Sequence, residues 1–119
     1  MRNKKTKTAT TKLHLKKMDS ACIAYNKVQY AYATRLDSDD NITEIRANVD
    51  LDGFKNDKYP DRTYTSDFVC IKKNGDIMVR ECIERKYVHR PATVQLLDYS
   101  RNYWMSHGVS DWGIIIDEE

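Results

Sequence analysis

The sequence predicts a small α/β domain: a mixed β-sheet built in the order α-β-β-β-α-β and flanked by helices. Three observations carry this. Residues 42–51 alternate between apolar and polar side chains, the period of a half-buried strand. Thr65 to Ile83 reads as two β-rich runs around Lys73-Asn74-Gly75, a strong local hairpin signal. A helix opened by Pro91 then separates that hairpin from an apolar run, Trp112 to Asp117. Strand, helix and strand in that order form a crossover unit, right-handed, with its last strand parallel to the one it joins.

At 119 residues the chain has room for one core, not two. With 32% charged and 40% hydrophobic residues its balance is that of an ordinary soluble protein, and no apolar run or leader suggests a membrane partner. Cys22, Cys70 and Cys82 are odd in number and show no CxxC spacing, so they read as small reduced core residues of a cytoplasmic protein. His14, His89 and His107 are scattered, which argues against a histidine metal site.

The charge is unevenly placed. Residues 1–17 carry seven cations (Arg2, Lys4, Lys5, Lys7, Lys12, Lys16 and Lys17) and no acid, whereas the remainder carries 13 cations and 18 acids. Residues 1–18 are therefore expected to be a basic, flexible arm, and residues 19–119 the folded domain. Such an arm is either a solubilising terminus or a phosphate-seeking tail on an acidic body.

The first helix is expected from the caps Asp19-Ser20 to about Leu36, with residues 22, 25, 29, 32 and 36 on one stripe. Gln29 is the polar member of that stripe. It either lies at the edge and reaches water, or points into a site. Asp37 to Asn41 is an acidic turn, and the polar segment from Asp52-Gly53 to Pro60-Asp61 a loop. After the hairpin, Glu84 to Arg90 is a charged connection holding Arg85, Lys86, His89 and Arg90. The second helix should run from Pro91 to about His107, where Gly108 is a suitable left-handed stop. The final strand, 112–117, should be fully buried.

The hairpin register decides where the acids fall. A two-residue Asn74-Gly75 turn would set Asp67 opposite Cys82. A three-residue loop with Gly75 in the left-handed position pairs Lys72 with Asp76 and hence Asp67 with Glu81. Glycine in the third position is what that bulged loop demands, so the second register is expected. It sets two carboxylates side by side on a face continued by Val69, Ile71, Ile77 and Val79. Such a pair is costly unless a cation joins it, and Mg²⁺, which prefers hard oxygen ligands, is the obvious one. The bland reading of Glu81 is a buried acid paired with Arg80, Arg85 or Lys86.

The element order, with Asp67 on the middle strand and Glu81 on the next, resembles the PD-(D/E)XK nuclease fold. Over about residues 20–117 the closer resemblance is to the N-terminal domain of TnsA, the endonuclease subunit of heteromeric transposases. It rests on Tyr64-Thr65-Ser66-Asp67-Phe68, the Asn74-Gly75 turn, Glu81, and the ending Tyr103-Trp104 through Asp111-Trp112-Gly113. The resemblance implies a Mg²⁺ site of a helix glutamate, the hairpin aspartate and an acid or amide on the next strand, with a lysine two residues on. Asp67 and Glu81 match two of these positions. Gln29 stands where the glutamate is expected and Ile83 where the lysine is expected. Lys86 is the candidate replacement lysine, since Glu84-Arg85-Lys86 keeps a literal ExK, although Glu84 falls on the opposite face or past the strand's end. The family's C-terminal domain has no counterpart after Asp117-Glu118-Glu119.

Three functions follow. The preferred expectation is a catalytically degenerate nuclease fold of a mobile element that binds nucleic acid or protein. DNA would meet Lys4, Lys5, Lys7, Lys12, Lys16 and Lys17 of the arm together with Arg85, Lys86 and Arg90. The second is an active Mg²⁺-dependent endonuclease in transposition, using Asp67, Glu81 and Lys86. The third is an inhibitor of a host-defence protein, whose acidic body imitates nucleic acid.

Overall fold

The computed structural model describes residues 10–51 and 64–117. The elements are β1 (Thr11–Leu13), β2 (Cys22–Ala24), α1 (Lys27–Asp37), β3 (Ile42–Asp50), β4 (Thr65–Lys72), β5 (Ile77–Ile83), a 3-10 turn (Arg85–Tyr87), α2 (Pro91–Ser106) and β6 (Asp111–Ile116). A four-stranded sheet runs β3-β4-β5-β6, and β1 pairs with β2 in a separate ribbon. β3, β4 and β5 are mutually antiparallel, and β6 is parallel to β5, as the crossover through α2 requires. The chain is thus a small mixed α/β domain with the expected order of major elements. Among the described residues no helix is long and apolar enough to cross a membrane.

The hairpin has the expected register. Phe68 pairs with Arg80 and Ile71 with Ile77. The Lys72 amide donates to Asp76 across a loop closed by the Gly75 amide on the Lys72 carbonyl. Gly75 has φ +89°, the left-handed conformation that an L side chain resists. The same register continued sets Asp67 level with Glu81. α2 begins at Pro91 as predicted, and its end is followed by Gly108 at φ +84°.

Three expectations need correction. α1 starts at Lys27, not near residue 20, because Cys22–Ala24 pairs with Thr11–Leu13 instead. Its cap is Asn26, whose side chain accepts from the Gln29 amide at 2.7 Å. Residues 10–18, assigned to the arm by charge alone, join the folded body: Leu13, Leu15 and Met18 pack with α1. Lys17 donates to the Leu36 and Asp39 carbonyls at the end of α1, and its own amide and that of Lys16 donate to Asp37. Finally, β6 is half exposed, because it is the last strand of the sheet and not an interior one.

Two apolar clusters cover the two faces of the sheet. On the α1 side, Val28, Ala33 and Leu36 meet Ile45, Phe68, Cys70 and Cys82. On the α2 side the cluster is thinner: Val69, Val79 and Val109, flanked by Val49, Trp104 and Trp112. Ala47 packs with the first cluster and Val49 with the second. Residues two apart on a regular strand share a face, so β3 changes face at Asn48. Asn48 has φ +54°, a conformation uncommon outside glycine. β4 changes with it: Phe68 faces α1, while Ser66 bonds to α2. The two crossing points, Asn48 and Asp67, are level, bracketed by the pairs Ala47 with Phe68 and Val49 with Ser66.

Candidate functional site

Gln29, Asp67 and Glu81 come from α1, β4 and β5; the two acids bridge β4 and β5, and Gln29 joins that level of the sheet through Asn48. All three are enclosed, at 1%, 2% and 0% exposure. Gln29 therefore does not lie at the water-facing edge of its helix. Its amide oxygen accepts from the Tyr25 backbone at 2.8 Å, and its nitrogen donates to the Asn48 side chain at 2.9 Å. Asn48 in turn donates to the Ile23 carbonyl at 2.8 Å, so the strained residue ties α1 and β2 to β3. Asn26 closes this side by donating to the Cys82 carbonyl at 3.1 Å.

Each carboxylate of the acid pair grips the other strand's backbone. Glu81 Oε1 accepts from the Asp67 amide at 2.9 Å, and Asp67 Oδ2 accepts from the Cys82 amide at 2.7 Å. Side chains here replace the strand-to-strand ladder bonds. Glu81 Oε2 accepts from Ser100 at 2.6 Å, Ser66 at 2.8 Å and Tyr64 at 3.3 Å. Behind the serines stand the two tryptophans. The Trp104 indole donates to Ser66 at 2.9 Å and the Trp112 indole to Ser100 at 3.0 Å. The Tyr-Trp and Asp-Trp-Gly strings of the sequence thus supply an outer layer of donors to one buried carboxylate.

Electrostatics agree with that enclosure. Burial raises the Asp67 carboxyl to about 6, with the Glu81 charge pushing the same way and the Cys82 amide pulling it down. The Tyr64 hydroxyl is raised far above its ordinary range by burial and then by Glu81, so it stays protonated and donates. Burial likewise pushes the Cys70 thiol up to about 12 and raises Cys82 further, which leaves both as unreactive core residues.

The candidate cations lie elsewhere. Lys86 is 68% exposed, paired with Glu84 at 3.6 Å and set over the Tyr87 ring, away from the enclosed acids. Ile83, at the lysine position, is buried. Arg80 reaches Asp111, Arg85 reaches Asp117, and Glu81 is held by hydroxyls and a peptide N–H, not by the arginines. Arg90 stacks on Tyr87 with its guanidinium 4.4 Å from the ring centre, so Lys86, Tyr87 and Arg90 form one exposed cluster beside α2. Lys12 and Lys16 are exposed, whereas Lys17 is engaged with α1. Lys4, Lys5 and Lys7 lie outside the described residues.

As arranged, the acids are a poor fit for Mg²⁺. A hard cation needs carboxylate lone pairs and several waters, and Glu81 is fully enclosed and already serves four protein donors. The third position brings an amide whose oxygen and nitrogen are both engaged. Among the described residues no group of three or more His, Cys, Asp or Glu is placed to hold a metal ion. Compared with known proteins, the chain matches no family model and no curated protein sequence.

Sequence reasoning missed Ser66, Ser100, Tyr64 and Asn48. A signal was present for Ser100, a small polar residue at the spacing of the buried positions Thr93 and Leu97.

Proposed function

We propose that this chain is a TnsA-like, PD-(D/E)XK-fold protein of a mobile element that binds nucleic acid and whose former metal ligands now hold the fold together. The order α1-β3-β4-β5-α2-β6, with Asp67 and Glu81 adjacent on neighbouring strands, supports the nuclease-fold reading. The observation that carries the loss of catalysis is the enclosure of Glu81 by Ser66, Ser100, Tyr64 and the Asp67 amide. A carboxylate surrounded by its own donors stabilises the interior; it does not polarise a water. Nucleic-acid binding is supported by the basic run of residues 1–17 and by Arg85, Lys86 and Arg90 on the turn before α2.

The test has two arms. Duplex DNA binding followed by fluorescence anisotropy is expected to weaken steeply with salt, by about 10³ between 50 and 200 mM if some six phosphates are met. Charge reversal of Lys4, Lys5 and Lys7, or of Arg85, Lys86 and Arg90, should weaken it at every sequence tried. Calorimetry with Mg²⁺ and Mn²⁺ and a plasmid-nicking assay should both be blank. Metal-dependent nicking lost in Asp67→Asn would restore the endonuclease reading. No affinity for DNA, with a stable complex formed by a transposition or host-defence protein, would replace it with the protein-binding one.

A further inference from the structure

One aromatic side chain stands among the cations of the turn before α2. The connection reads Glu84-Arg85-Lys86-Tyr87-Val88-His89-Arg90, with Tyr87 at its centre. Tyr87 is half-buried; among the described residues it joins neither apolar cluster, and its hydroxyl has no hydrogen-bond partner. Packing therefore does not account for an aromatic here. Its ring instead meets two cations: the Arg90 guanidinium lies 4.4 Å from the ring centre and the Lys86 ammonium 5.1 Å. Both are inside the roughly 6 Å over which a ring face attracts a cation. The turn that presents the ring is well tied. The Tyr87 amide donates to the Glu84 carbonyl at 2.9 Å and the Arg90 amide to the Tyr87 carbonyl at 3.1 Å. Arg85 fastens the turn to Asp117 after β6, and Pro91 opens α2 directly behind it. The contact of Lys86 with Glu84 is long, at 3.6 Å, and the lysine is exposed, so its charge stays available to an anion.

We propose that Tyr87 is a base-stacking residue, and that the nucleic acid this cluster takes is single-stranded; the proposal rests on the nucleic-acid reading above. A single strand brings a phosphate and a flat π-face on the same nucleotide. A phosphate, with its full charge, draws Lys86 and Arg90 more strongly than the ring does. A cation that turns to the phosphate uncovers the ring, and the base takes its place; stacking of this kind tolerates any sequence. A duplex offers the same phosphates but keeps its bases stacked on one another, so it meets the cations alone. An acidic peptide likewise offers charge with no flat partner for the ring.

Fluorescence anisotropy at about 200 mM salt, where the phosphate contribution is weakened, compares a mixed-sequence single strand with an abasic strand of equal length. The abasic strand keeps the phosphates and lacks the bases. The base-bearing strand should bind about tenfold more tightly. Tyr87→Leu, with its fold checked by circular dichroism, should bring that ratio close to one, and Tyr87→Phe, which keeps the ring, should retain it. Lys86→Gln with Arg90→Gln should flatten the salt dependence of both strands alike. A ratio near one in the wild type, or one that Tyr87→Leu leaves unchanged, overturns the proposal while duplex binding keeps the nucleic-acid reading in place. Equal weakening of both strands by Tyr87→Leu overturns it too, since it gives the ring a scaffold role. So does displacement of the base-bearing strand by polyglutamate at equal charge, which would mean that charge alone is read. No affinity for any strand or duplex removes the nucleic-acid reading itself, and this proposal with it.

Discussion

Ser100 of α2 donates its hydroxyl to Glu81 of β5 at 2.6 Å while accepting from the Trp112 indole at 3.0 Å. A carboxylate on the sheet is therefore a fastening point for the helix that crosses it. The apolar cluster on this side is thin, built on Val69, Val79 and Val109, so the polar fastening carries a share of the stability that packing carries on the α1 side.

Ser100→Ala leaves Glu81 short of its shortest bond and the Trp112 indole without its acceptor. Bonds to a charged, buried group are worth about 1.5–3 kcal/mol, so a loss near 2 kcal/mol is expected in urea unfolding. Trp112→Phe should cost about 1 kcal/mol through the lost donor beyond any change in packing. The two losses should be less than additive, because both act through the same hydroxyl.

Asp67 sets a pH dependence of unusual sign. Its carboxyl is raised from 3.8 to about 6, so the folded state holds the proton more tightly than the unfolded chain. Its contribution is greatest below the unfolded value and is lost as pH rises through the folded one. Asp67→Asn keeps an oxygen for the Cys82 amide and removes the buried charge. The variant should be more stable than wild type above pH 6, by up to about 3 kcal/mol, and should lose the downward slope between about pH 4 and 6. Denaturant midpoints measured across that window decide it; a variant weaker at every pH would show that the charge itself is needed.

Gln29→Glu restores the acid that the nuclease resemblance asks for, and in this interior it should be harmful. The new carboxylate cannot donate to Asn48, and it faces an acceptor where a donor stood at 2.9 Å. A cost of about 2–4 kcal/mol is expected. Adding Mg²⁺ should leave the melting temperatures of the variant and of wild type unmoved, because Glu81 stays committed to its four protein donors. Mg²⁺ stabilising wild type instead would mean that the native set already holds the ion.

Asn48 allows backbone and side-chain roles to be separated. At φ +54° glycine is comfortable and alanine is not. Both substitutions lose the bonds to Gln29 and Ile23, so Asn48→Ala should be less stable than Asn48→Gly by about 1 kcal/mol. Equal losses would place the whole effect in the side chain.

Much of this was readable because it is local. Gly75 selects the loop, the loop selects the register, and the register brings Asp67 level with Glu81. The start of α1 was not readable, since Cys22–Ala24 has a partner eleven or so residues earlier that no periodicity announces. Charge misassigned residues 10–18 to an arm, because Lys16 and Lys17 hide the burial of Leu13, Leu15 and Met18 among them. Ser100 falls on the buried stripe of α2, but Ser66 and a left-handed asparagine carry no such signature, so most partners of Glu81 and Gln29 emerge only once the strands are in place.

The change of face at Asn48 makes β3 behave less like a hem and more like a stitch. Ile45 and Ala47 are anchored under one layer of the domain and Val49 under the other. An outer strand ordinarily frays from its end, one residue at a time. This one cannot be peeled back past Asn48 without disturbing both layers, so its slowest-exchanging amides should open only with the domain as a whole.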